Sequence, residues 1–191
     1  MRKTCKRCLK PLLTCFCQAL TPIENRVKLI ILVHPDEEKH PYNTALMTKL
    51  NFKNSKLIIG ENLSYDSQLR SEVSRPGSYI LYPHETAKKI NTLSSAQKKE
   101  IKTLILLDGT WRKAKRILYQ TQFLQDIPLL QLPENLNSIY HIRKAPQKNF
   151  LSTLEAATHS LNLIEKQNYS CALNVLQFFV DKHKEYMAKK S

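Results

Sequence analysis

Short apolar blocks, separated by polar and turn-forming stretches, run the length of the chain. RVKLIILV, ending at Val33, is a nearly unbroken apolar run stopped by Pro35, which reads as a buried strand. TALMTKLNF changes to helical spacing, and SKLIIG reads as a second strand ending at Gly60. DSQLRSEVS fits a short helix. The PGS turn leads into SYILYP, a third strand stopped by Pro83. HETAKKI and SSAQKKE read as short polar helices or loop, and KTLILLD as a fourth strand. TWRKAKRILYQTQFL is helical, PLLQL is a fifth strand and SIYHIRK a candidate sixth. LSTLEAATHSLNLIEK and SCALNVLQFFVDKHKEYMAKK close the chain as helices, with the charged end from Lys182 expected to fray. Strands alternating with helices predict an α/β fold with a mainly parallel sheet.

The block LILLDGTWRKAKRIL, residues 104–118, concentrates the chemistry. On a helical wheel Trp111, Ala114, Ile117, Leu118 and Leu124 share a face, while Arg112, Lys113, Lys115 and Arg116 lie opposite. Thr110 is placed to cap this helix. Asp108 then falls at the carboxyl end of a strand, where open α/β sheets bind ligands. A carboxylate there serves either as a general base or as a hydrogen-bond acceptor, unless it only closes a capping turn beside a core tryptophan.

Charge narrows the partners. Thirty Lys and Arg against sixteen Asp and Glu leave +14, a balance that fits a polyanion, nucleic acid before an anionic membrane surface. No apolar run approaches the roughly 20 residues that span a bilayer. MRKTCKRC lacks the apolar core of a signal peptide. A cytoplasmic monomer with no membrane partner is the expectation. Only three glycines occur, Gly60, Gly77 and Gly109, so neither G-x-G-x-x-G nor a Walker loop can be written.

Four of the five cysteines crowd into CKRCLKPLLTCFC: Cys5, Cys8, Cys15 and Cys17. This C-x2-C-x6-C-x-C spacing suits one tetrahedral Zn²⁺. An iron–sulfur cluster is the competing metal, and disulfides are disfavoured in a reducing compartment. Lys3, Lys6, Arg7 and Lys10 surround the cluster, as a solvated surface or a phosphate grip. Residues 1–24 read as a zinc knuckle and 25–191 as the catalytic domain. Cys171, in an apolar helical pattern, is expected to be buried. His34, Asp36 and Glu37 form an acidic cluster better read as a loop near a site than as a metal centre.

Asp108-Gly109-Thr110-Trp111 after an apolar strand resembles the D-x-T-W signature of the DTW-domain family. CKRC…CFC, VHPDE with NTALMTKL, ILYPHETA, and YHIRKAP with FLSTLEAA resemble further family segments in the same order, over about residues 5–165. Within the family, the chain most resembles the bacterial tRNA-uridine aminocarboxypropyltransferases. The resemblance implies a SPOUT-like knotted sheet with helices on both faces. It implies transfer of the 3-amino-3-carboxypropyl arm of S-adenosylmethionine to N3 of a uridine in tRNA. A SPOUT-type RNA methyltransferase and a non-catalytic zinc-containing RNA-binding protein are the rival readings.

On that resemblance Asp108, Thr110 and Trp111 are the catalytic candidates. Asp108 would orient or deprotonate uridine N3, or anchor the cofactor's amino group. Trp111 would stack on adenine or uracil, or simply pack. Leu81, Tyr82, Pro83, Leu107, Asp108, Trp111, Arg143, Ser152 and Thr153 are the candidate cofactor contacts, with Arg143 on the cofactor's carboxylate or on an RNA phosphate. Ser152, three residues before Glu155, is also a plausible helix cap. The RNA grip would be Arg112, Lys113, Lys115, Arg116, Arg143, Lys144 and Lys148.

Overall fold

Continuous Val, Ile and Leu runs bury a strand on both faces, and such strands pair in parallel only if helices cover the sheet. The computed structural model, which describes residues 3–140 and 151–188, has this arrangement. Its strands are β1 (Lys28–Val33), β2 (Ser55–Ile59), β3 (Ser78–Leu81), β4 (Lys88–Lys89), β5 (Thr103–Asp108) and β6 (Leu129–Gln131). They form one sheet in the order β2-β1-β5-β3-β6-β4, every neighbouring pair parallel. The helices are α1 (Pro35–Glu38), α2 (Ala45–Asn51), α3 (Ser67–Val73), α4 (Ser95–Glu100), α5 (Trp111–Gln120), α6 (Thr153–Glu165) and α7 (Ala172–Ala188).

Alternate residues of β1 feed two cores. Leu29, Ile31 and Val33 pack with residues of α2, α6 and α7. Ile30 and Leu32 pack with Leu69 and Val73 of α3 and with Ile117 and Leu118 of α5. The helices therefore lie on both faces. The cysteine-bearing segment joins the first core, where Cys8 and Phe16 are fully buried and the Phe16 ring meets Phe179 edge-on at 5.8 Å. Gly77 has a positive φ of 90°, and a Cβ there would come within 2.4 Å of the Glu100 carbonyl, so only glycine makes the turn into β3.

Three sequence expectations are corrected. The sixth strand is Lys88–Lys89, inside the stretch read as polar helix or loop; the described part of SIYHIRK, residues 138–140, is not strand. Two residues pairing with Leu130 and Gln131 at the sheet edge are too short for a periodic signal. The helix after Asp108 stops at Gln120 and a 3-10 turn over Gln122–Leu124 follows, so Leu124 reaches the core from a separate element. Cys171 is exposed, and the buried position is its neighbour Ala172 at the start of α7. No helix among the described residues is long and apolar enough to cross a membrane.

Candidate active site at the carboxyl ends of the strands

β5 ends on Asp108 between β1 and β3, so loops from three strands converge on one carboxylate. Asp108 is only 5% exposed. Its Oδ2 accepts a hydrogen bond from the Asn43 amide and its Oδ1 one from the Thr153 hydroxyl. Its backbone carbonyl accepts from His34 N at 3.0 Å, which ties the ends of β1 and β5. Asn43 is held in turn, since its Oδ1 accepts from the N–H of Ala45, the first residue of α2, at 2.9 Å. Thr153 N donates to Thr44 Oγ1 at 3.1 Å, locking the start of α6 to the start of α2. Two segments distant in sequence thus aim at one anion carried by a third.

The start of α6 carries the S-x-x-E capping box expected at Ser152. Glu155, 1% exposed, does more than cap. It accepts from Ser152 N at 2.7 Å and Ile139 N at 2.7 Å, and the Ser138 hydroxyl lies 3.0 Å from each of its oxygens. This buried carboxylate fixes residues 138–140 against the helix that supplies Thr153. Glu155→Gln turns an NH₂ toward donors, and an unpaired buried donor costs about 1–3 kcal/mol. The expected result is a melting temperature lower by about 3–10 °C for a chain of this size, read by thermal unfolding at constant pH.

The four cysteine sulfurs lie within 4.8 Å of one another, the one convergent His/Cys/Asp/Glu group of three or more among the described residues. Cys5 to Cys17 and Cys8 to Cys15 are each 3.6 Å apart. A tetrahedral zinc–thiolate site with bonds of about 2.3 Å has edges of about 3.8 Å, so the donor set fits one such cation. Backbone N–H groups of Cys8 and Arg7 pull the Cys5 thiol down to about 6, while burial pushes Cys15 and Cys17 up.

Lys10, read from sequence as a surface cation, turns inward and is 9% exposed. Its ammonium donates to the carbonyls of His40 at 3.0 Å and Pro41 at 2.8 Å. Burial pushes it down to about 8, opposed by the negative charge of Cys8 and Asp108. Lys10 therefore joins the cysteine loop to the turn that delivers Asn43. Tyr140 Oη supports the same turn through Tyr42 O at 2.8 Å.

The profile of the DTW domain matches residues 2–187. The chain belongs to the DTW-domain family. Three similar proteins carry the name tRNA-uridine aminocarboxypropyltransferase 2. That of Macaca fascicularis is 33% identical over 88% of this chain and 58% of its own length. That of Mus musculus is 33% identical over 87% and 58%, and that of Drosophila melanogaster 30% identical over 87% and 68%. The chain thus spans under two thirds of the two mammalian proteins it matches. No solved structure matches.

In this DTW domain the signature residues divide their roles. Thr110 caps α5, accepting from Lys113 N at 3.4 Å. A Cβ on Gly109 would lie 2.9 Å from Lys113 Cβ and 3.6 Å from His34 Cβ, so the signature turn passes close under both. Trp111 is not a core residue. It stands at the first turn of α5, before the apolar stripe engages the sheet, and is 45% exposed, edge-on to Tyr82 at 5.8 Å. Tyr82 is half-buried at the end of β3, its N–H donating to Leu130 O at 2.9 Å, and burial pushes its hydroxyl above the ordinary range. Leu81 packs on the α6 side of the sheet, and Leu107 on the α5 side. Pro83 follows them, exposed.

The expected RNA grip on α5 is only partly available. Lys113 pairs with Glu37 at 2.9 Å and Asp36 at 3.4 Å, and Arg116 with Glu61 at 3.2 Å. Because Glu37 is 4% exposed, Lys113 serves as its counter-ion. The Lys115 ammonium sits 5.6 Å over the Tyr119 ring, and Arg112 is exposed. His34 Nδ1 caps α1 through Asp36 N, and its Nε2 lies 3.1 Å from Glu61 Oε2. Asp36 and Glu37 lie on α1 instead of the expected loop and share Lys113, while the His34 ring lies between Asp36 N and Glu61; the three are not a convergent metal-ligating group among the described residues. Arg143, Lys144 and Lys148 lie outside the described residues. Asn43 and Lys10 were missed as site residues. Asn43 entered the sequence reading only within the NTALMTKL segment, and nothing local marks a lysine that will be buried.

Proposed function

We propose that this chain transfers the 3-amino-3-carboxypropyl group of S-adenosylmethionine to N3 of a tRNA uridine, releasing methylthioadenosine. The observation that carries the reading is the similarity to proteins named tRNA-uridine aminocarboxypropyltransferase 2 over nearly nine-tenths of the chain. Bound S-adenosylmethionine supplies a sulfonium whose neighbouring carbons are all electrophilic. Transfer would join N3 to the arm as the arm's C–S bond breaks with its electron pair going to sulfur, the N3 proton passing to Asp108 or to solvent.

The chain's own task is to choose the arm by geometry. Asp108, already accepting from Asn43 and Thr153, is a fixed anion suited to hold the arm's ammonium or the N3–H in place. Backbone at Leu81, Tyr82, Pro83 and Leu107 lines the adenosine side, with Trp111 offering its exposed indole to a base. Ser152 and Thr153 bound the arm, and Arg143 answers its carboxylate. Cys5, Cys8, Cys15 and Cys17 hold structural zinc in residues 1–24, and residues 25–191 form the catalytic domain, SPOUT-like and knotted. The all-parallel sheet with helices on both faces supports the α/β part of that reading. Arg112 and Lys115, with Lys144 and Lys148, touch RNA phosphates.

The test is mass spectrometry of nucleosides from unmodified tRNA incubated with the purified protein and S-adenosylmethionine. A uridine heavier by an aminocarboxypropyl group is expected, together with methylthioadenosine. A gain of one methyl group would move the protein to the methyltransferase reading. Absence of any turnover would leave an RNA-binding protein.

A further inference from the structure

A basic cluster with no ion pair among the described residues lies at the opposite end of the sheet from Asp108. Arg26, Lys98, Lys99, Lys102 and Lys166 line a concavity of about 450 Å³ together with Ser95, Ile164 and Glu165. The cations come from four places: the approach to β1, the end of α4, the approach to β5, and the cap of α6. None of the five forms an ion pair within the described residues. Arg26 donates to the carbonyls of Lys98, Lys99 and Ile101. Lys102 reaches the Lys99 carbonyl at 3.2 Å, and Lys166 the Ser95 hydroxyl at 2.8 Å. The one carboxylate, Glu165, is committed elsewhere, accepting from Arg26 N, Val27 N and the Tyr169 hydroxyl. Two helix ends contribute about half a negative charge each. With Glu165 they offset about two of the five positive charges, leaving about three. Lys166 also holds a left-handed backbone (φ 54°) at the cap of α6, where glycine is the unstrained choice. That backbone aims its ammonium at Ser95.

We propose that this pocket grips the phosphate backbone of RNA at a point remote from the reacting base. The inference rests on the tRNA reading above for its ligand. Six residues of β5 at about 3.3 Å each separate the pocket from Asp108 by about 20 Å, a span that a folded RNA covers and a single nucleotide does not. Lys113 and Arg116 on α5 are held by carboxylates, whereas no cation here has an ion pair among the described residues. The remote contact supplies affinity while the Asp108 end supplies chemistry.

The experiment compares Lys98→Gln/Lys99→Gln/Lys102→Gln with a control of equal charge loss, Lys39→Gln/Lys53→Gln/Lys184→Gln. Arg26 is left in place because its guanidinium caps carbonyls. Filter binding of each to a tRNA pool is measured across salt concentration, without S-adenosylmethionine. The pocket variant is expected to bind roughly tenfold more weakly or worse, with a log–log salt slope shallower by about 2–3, since each phosphate contact contributes about 0.7–0.9. The control should keep most of its slope. Equal loss in both variants, or no tRNA binding by the wild type, overturns the proposal. Because binding is read without turnover, failure of the transfer reaction leaves this result intact, and loss of the pocket leaves the transfer reading intact.

Discussion

Asp108→Asn is expected to lower transfer by at least about 100-fold while tRNA affinity stays within about twofold and the fold is kept. The substitution preserves volume, and the Thr153 hydroxyl can rotate to accept from the new amide, so the hydrogen bonds at this buried point have a way to reform. Charge is what disappears. A positioned carboxylate that meets a cation or a reacting N–H contributes about 10²–10⁴ in rate. Asp108→Ala should reduce transfer as far and also destabilise, because it strands the Asn43 amide and Thr153 hydroxyl with no shared acceptor. The measurement is kcat and KM on unmodified tRNA beside thermal unfolding of each variant. Turnover of Asp108→Asn within about threefold of wild type would remove Asp108 from the reaction and leave it a structural anchor.

Cys5→Ser/Cys8→Ser should abolish metal binding and lower the melting temperature by about 10 °C or more, the scale of a few kcal/mol in a domain of this size. The reason is position. Cys8 is wholly buried, Phe16 packs on Phe179 of α7, and Lys10 reaches the turn before Asn43. Metal binding to such thiolate sets is itself folding free energy. Loosening the loop therefore withdraws support from the last core helix and from the Asp108 site together. Elemental analysis should give about one zinc per wild-type chain and no visible chromophore. A visible absorption band with iron would assign an iron–sulfur cluster. Unchanged melting and unchanged metal content in the double variant would show that the four sulfurs hold nothing.

Both predictions join segments far apart in the chain, which marks where sequence reading stopped. The α/β class, five of the six strands and the helices flanking Asp108 were legible because burial on two faces leaves continuous apolar runs. Helices show their own period, and the Thr110 and Ser152 caps have local signatures. The cysteine set was legible because four soft ligands in thirteen residues need no tertiary information to be brought together. The two-residue edge strand at Lys88 was not, since two residues carry no period.

What the sequence alone determined is therefore whatever a few neighbouring residues can encode: which stretches are strand or helix, where Asp108 ends a strand, and which sulfurs cluster. Only the tertiary structure decided which charges are spent and which remain. It left Trp111 half exposed, a choice the sequence had kept open, and turned Lys10 inward. Lys113 and Arg116 were consumed by Glu37 and Glu61, while Arg26, Lys98, Lys99, Lys102 and Lys166 have no ion pair among the described residues. The physical reason is that an ion pair or a buried donor depends on distance in space, and parallel strand connections place partners tens of residues apart.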